Sequence, residues 1–111
     1  MNTTECKTAK EKMKERNEQT VLCLQKKIGH TLFRYSVGER REEITKEDET
    51  KTQALSYSVY AEYETAEEHT YAFVTALTEE KEKAIAFCKK LLAALVTPLS
   101  LEAVYEDMLT P

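Results

Sequence analysis

An α+β domain is the fold class this sequence predicts: an antiparallel sheet of about four strands, built as two hairpins, with two C-terminal helices packed on one face. Three observations carry it. Residues 55–63 and 69–77 alternate in side-chain character with the period of two that a strand requires, and Phe33, Tyr35 and Val37 repeat that pattern upstream. Residues 84–95 return apolar side chains at helical spacing. A second helical pattern follows a Thr97-Pro98 break.

Taken in order, residues 1–18 alternate acid and base with little apolar content. They predict a charged tail or frayed helix, because a short helix with no apolar face to dock is marginal in water. Residues 19–111 then form the single domain. Val21-Leu22-Cys23-Leu24 opens a first strand, and Gly29 stands where a hairpin turn needs a residue tolerant of positive φ. Residues 38–53, GERREEITKEDETKTQ, read as a solvated loop starting at Gly38. The second hairpin has Leu55, Tyr57, Val59, Ala61 and Tyr63 on one face. Its partner strand has Tyr71, Phe73 and Leu77 on one face, and Ala72, Val74 and Ala76 on the other. Thr78 reads as the cap of the first helix, with Glu79 and Glu80 in its opening turn and Glu79 paired to Lys83. Ala84, Ile85, Cys88, Leu91, Leu92 and Leu95 form its apolar face.

Length and composition bound the rest. The chain has 111 residues, which suits one domain with its own core, and 41% hydrophobic against 32% charged is globular composition. A net charge of −4 argues against nucleic acid and against a polybasic membrane contact as partners. No window approaches the roughly 20 apolar residues of a membrane span, and the N-terminus has no apolar run suited to a secretory signal. A cytoplasmic location is the expectation, with Cys6, Cys23 and Cys88 as free thiols, the last two in the core.

The chemistry-bearing residues form no catalytic pattern, so the expected function is non-enzymatic, with no cofactor and no metal. His30 and His69 sit beside turns, and neither histidine nor cysteine shows metal-ligand spacing. The two glycines open no phosphate loop. Runs of carboxylates such as Glu47-Asp48-Glu49 read as solvated surface rather than acid–base pairs. Tyr60 and Val74 mark a second sheet face that is neither charged nor strongly apolar, which suits plain solvated surface, cover by the N-terminal segment, self-association or another protein. The reading is therefore a small protein-interaction or regulatory accessory domain. The alternative is a small-ligand site or active site between the sheet and the last helix, using Tyr105, Glu106 and His69.

In the closing stretch, Pro98 stops one helix and Ser100 caps the next, whose stripe is Leu101, Val104, Tyr105, Met108 and Leu109. Glu106 and Asp107 lie toward the negative end of that helix, a position that costs roughly 0.3–1 kcal/mol. They are therefore candidate contact residues. Val96-Thr97-Pro98, Leu101, Val104, Glu106-Asp107 and Met108-Leu109 together resemble the ending of a family of small bacterial proteins, domain-of-unknown-function family 6514. From about Leu55 onward the layout is similar to that family, with the N-terminal tail outside the resemblance. Ser100 and Ala103 depart from its pattern, which often has a histidine and an acidic residue there. The resemblance implies the fold and no activity.

Overall fold

The computed structural model describes residues 9–109, the side chains of Ala76 and of residues 107–109 excepted. Along the chain come α1 (Ala9–Glu15), β1 (Glu18–Ile28), β2 (Thr31–Thr45), β3 (Lys51–Glu64), β4 (His69–Thr78), α2 (Lys81–Ala94), a 3-10 turn (Pro98–Ser100) and α3 (Leu101–Leu109). The four strands form one antiparallel sheet in chain order, joined by hairpins, as the α+β reading expects. Gly29 and His30 connect Ile28 to its partner Thr31, and Gly29 takes φ +61° at the first turn position. A side chain there would be strained, which is the role the sequence assigned to this glycine.

The charged stretch 38–53 is not a loop. Pairing between β2 and β3 runs unbroken from Leu32 opposite Glu64 to Thr45 opposite Lys51. Only residues 46–50 turn, closed by the Lys46 amide on the Thr50 carbonyl and the Glu49 amide on the Lys46 carbonyl, both at 2.9 Å. Because β1 ends opposite Arg40 and β4 opposite Tyr57, the hairpin continues past both neighbours as a two-stranded ribbon. Every residue from 41 to 53 is exposed. The radius of gyration, 15.6 Å, exceeds the ~13 Å of a compact chain near this length, in line with that projection. Gly38 lies inside β2, where an added Cβ would stand 3.3 Å from the Glu18 Cβ.

One face of the sheet carries the main core. Tyr35, Val37, Tyr57, Val59 and Ala61 pack against Ala84, Phe87, Cys88 and Leu91 of α2, with Val96 and Leu101. Fully burying a Phe or Leu side chain contributes roughly 1.5–3 kcal/mol, so α2 is held mainly by this stripe. Phe87 belongs to it although the sequence reading omitted it. The helix starts later than expected. Thr78 ends β4, with its Oγ1 accepting the Glu80 amide at 3.0 Å, and Glu80 occupies the cap position without a side-chain bond. Lys83 therefore pairs with Glu80 (3.1 Å), not Glu79. At the other end Leu95 adopts the left-handed conformation (φ 50°, ψ 49°). Its amide reaches the Leu92 carbonyl and the Val96 amide the Leu91 carbonyl, both at 3.1 Å, the double closure of a Schellman motif. The buried Tyr35 hydroxyl donates to the Val96 carbonyl at 2.7 Å and ties this corner to the sheet. Pro98 then opens a 3-10 turn that runs directly into α3, so Ser100 sits within the turn and does not cap.

The opposite face is covered by α1. Residues 1–8 of the expected tail lie outside the described residues, but residues 9–15 form a docked helix whose Ala9 and Met13 bury Tyr60 and pack on Phe73. Asn17, at φ 57°, ends that helix in the conformation asparagine tolerates best after glycine. Helices thus lie on both sides of the sheet, the two C-terminal ones together on one face as expected.

Candidate functional site

Strand register decides which side chains share the α1 face. Gln25 stands opposite Arg34, Arg34 opposite Glu62, and Glu62 opposite Tyr71, giving one row across the sheet. Beside it runs a second row of Cys23, Ser36, Tyr60 and Phe73. Because α1 sits over Tyr60 and Phe73, the Cys23 and Arg34 side of both rows forms a cleft among the described residues. It has a volume of about 630 Å³ and is lined by Gln25, Arg34, Ser36, Cys23 and Glu62, with Lys10 and Met13 as its helical wall.

Glu62 organises the site. It is 3% exposed, and its Oε2 receives three groups: His69 Nε2 at 2.9 Å, Arg34 Nη1 at 3.5 Å and the Ala9 amide at 3.4 Å. A buried carboxylate needs such partners to offset its lost hydration. The Arg34 guanidinium also donates from Nε to Gln25 Oε1 at 3.4 Å. On the floor the Ser36 hydroxyl donates to Cys23 Sγ at 3.6 Å. Further along the same face, Tyr60 donates to Glu18 Oε1, which Arg16 Nε approaches at 3.4 Å without forming a hydrogen bond. Glu18 Oε2 is buried with no partner among the described residues. Burial and the neighbouring carboxylate push the Tyr60 phenol well above its ordinary pKa.

The structure redistributes the residues singled out in the sequence. Tyr60 is fully buried under α1, so it offers no contact surface. Val74 is on the other face, since Val59 pairs with Val74 and Tyr60 with Phe73. Tyr71 and Phe73, expected toward the C-terminal helices, belong to the α1 side and stack on each other at 6.1 Å. The cause is the offset between β3 and β4, which alternation within each strand cannot reveal. Glu106 is exposed on α3, and the Asp107 side chain lies outside the described residues. Tyr105 packs edge-on against Phe87 at 6.3 Å, on the face away from His69, so the expected Tyr105–Glu106–His69 grouping does not form. His69 is no solvated turn residue but the closest partner of Glu62. Cys23 is exposed in the cleft rather than buried in the core, whereas Cys88 is buried as expected. Cys6 lies outside the described residues, and His30 is exposed at its turn. The strand pattern held the signal for Cys23 and Gln25, which alternate with the core residues Leu22 and Leu24.

The fold and cleft define a small α+β domain with a meander sheet, helices on both faces and a polar cleft against the N-terminal helix. The sequence matches the model described as Family of unknown function (DUF6514) over residues 4–111, so the chain belongs to that family. The match takes in the N-terminal segment that the resemblance had left outside. No curated protein and no solved structure matches the chain. Among the described residues no cluster of histidine, cysteine and carboxylate is placed to hold a metal, and no helix is long and apolar enough to cross a membrane.

Proposed function

We propose that this protein is a non-enzymatic interaction or regulatory accessory domain of the cytoplasm, and that its contact element is the projecting β2–β3 ribbon. The observation that carries this reading is a ribbon exposed on both faces from residue 41 to 53, with both outer edges unpaired among the described residues. An isolated two-stranded hairpin is marginal in water, so a projection of this length is most simply understood as an element completed by a partner. The two edges differ. On β2, Arg40, Arg41, Glu42 and Glu43 place four consecutive charges, the usual protection of a free edge. On β3, residues 52–56 (Thr-Gln-Ala-Leu-Ser) carry no charge and no proline, and would accept an added strand. The free thiols of Cys23 and Cys88 suit a reducing compartment.

The test replaces residues 42–54 by Asn-Gly, which joins Arg41 to its partner Leu55 through a two-residue turn and keeps the register below it. Self-association is read by sedimentation velocity, and heterologous contacts by cross-linking the full chain in lysate and mapping the linked residues. The reading expects association, or cross-links on residues 41–55, that the shortened chain loses while its melting is retained. A full chain that is monomeric and yields no cross-links on the ribbon refutes it, as does a shortened chain that associates unchanged.

A further inference from the structure

The cleft against α1 presents two opposite charges side by side, each with hydrogen-bonding capacity left over. A guanidinium has five N–H donors, and among the described residues Arg34 meets two acceptors, Gln25 and Glu62. Both contacts, at 3.4 and 3.5 Å, are long against the ~2.7–2.9 Å of a charge-assisted bond. The reason is visible on the other partner: Glu62 commits its Oε2 most closely to His69 at 2.9 Å and takes the Ala9 amide on the same atom. Arg34 is therefore held in place on two sides without being saturated. Among the described residues the contacts of Glu62 fall on Oε2, and its Oε1 meets no partner there.

We infer that this cleft binds a free α-amino acid, with Arg34 taking the carboxylate and Glu62 the ammonium. The volume of about 630 Å³ falls within the ~300–1,000 Å³ of small-molecule sites. An α-amino acid separates its two charges by a few bonds, which matches adjacent cross-strand neighbours such as Arg34 and Glu62. A planar carboxylate suits the guanidinium fork, whereas a phosphate dianion would meet the Glu62 charge beside it. Lys10 on the helical wall also lines the cleft, and Cys23 and Ser36 form its floor. Bound ligand would touch both the sheet and α1, so it would also steady that helix.

The experiment titrates the full chain with the standard L-amino acids one at a time, and with acetate and methylamine as probes carrying one charge only. Binding is followed through the Arg34 Nε–H resonance and by calorimetry. At least one amino acid should bind about tenfold tighter than either single-charge probe. Arg34→Gln should weaken that binding by about tenfold or more with its circular dichroism unchanged, while Lys89→Gln, exposed on α2 across the sheet, stays within about twofold. Absence of any shift at about 10 mM of every amino acid overturns the inference. So does equal binding to Arg34→Gln, or acetate binding as tightly as the best amino acid, which would mark a plain anion site. Shortening the ribbon should leave these titrations unchanged, so failure here is separable from failure of the interaction reading.

Discussion

Replacing Tyr60 by Phe removes one oxygen from a fully enclosed polar contact. The ring keeps its volume and its stacking on Phe73 at 5.3 Å, so the loss isolates the hydrogen bond to Glu18. Both ends are out of water: Tyr60 is 0% exposed, and so is the Glu18 side chain. A hydrogen bond to a charged group contributes roughly 1.5–3 kcal/mol, and stranding a buried charge costs more than stranding a neutral group. Glu18 already has one oxygen without a partner and would then depend on the Arg16 contact at 3.4 Å, so the upper part of that range applies. Tyr60→Phe should therefore cost about 2–3 kcal/mol. At about 4 °C per kcal/mol, Tm should fall by about 8–12 °C. Urea and thermal melts followed by circular dichroism measure the free energy and the Tm. In a Glu18→Gln background the same change should cost at least about 1 kcal/mol less, because no charge is then stranded. Identical melting of Tyr60→Phe and the parent in both backgrounds would show that the carboxylate is hydrated, and the burial of this contact under α1 would not carry the stability argued for it.

Three further outcomes are expected. Tyr35→Phe strands the buried Val96 carbonyl and should cost about 1–2 kcal/mol in the same melts; an unchanged Tm would remove this bond from the list of what holds the α2 corner. Glu49→Gly should stabilise by about 0.5–1 kcal/mol, because relief of the left-handed penalty at φ 66° outweighs the entropy of glycine, and a lowered Tm would contradict that balance. Alkali should unfold the chain cooperatively. Burial pushes the Tyr35 phenol and the Cys88 thiol each up to about 12, and raises Tyr60 too, so the stability these groups confer is complete below their unfolded values near 9–10 and is lost as pH rises toward 12. If all six tyrosines ionise together near pH 10 while the far-ultraviolet signal stays native, that reasoning is refuted.

How much was legible follows from where burial leaves a trace in sequence. Residues 55–63 alternate because one side of β3 meets α2, and the α2 stripe repeats at helical spacing for the same reason. The ribbon buries neither side, so residues 41–53 carry no alternation and look like loop. The α1 signal was faint: only Ala9 and Met13 face inward, and their spacing acquires meaning once Tyr60 and Phe73 are known to wait beneath them. For the candidate site the barrier was register. Gln25, Arg34 and Glu62 come from three strands, and their convergence depends on pairings that no single strand encodes. Tyr60 and Val74 were grouped on one face for want of the same information, and the pairing of β3 with β4 separates them. The closing turn and last helix were readable because proline and the apolar stripe act locally.

The corner at Leu95 bears on the order in which the molecule assembles. A leucine in the left-handed region is disfavoured by roughly 1–2 kcal/mol, so the local chain does not choose this conformation unaided. What holds it is a hydroxyl 61 residues upstream, presented by a strand that must already be paired. We therefore expect the sheet to form first and α3 to swing into place afterwards, with the corner closing late in folding. During synthesis β2 would emerge and wait for the last turn of chain to reach it. A refolding rate slowed by Tyr35→Phe as much as by core changes in β2 would contradict this order; the expected signature is faster unfolding with refolding nearly unaltered. The final helix is then a clasp fastened last, and the first element to be released under stress.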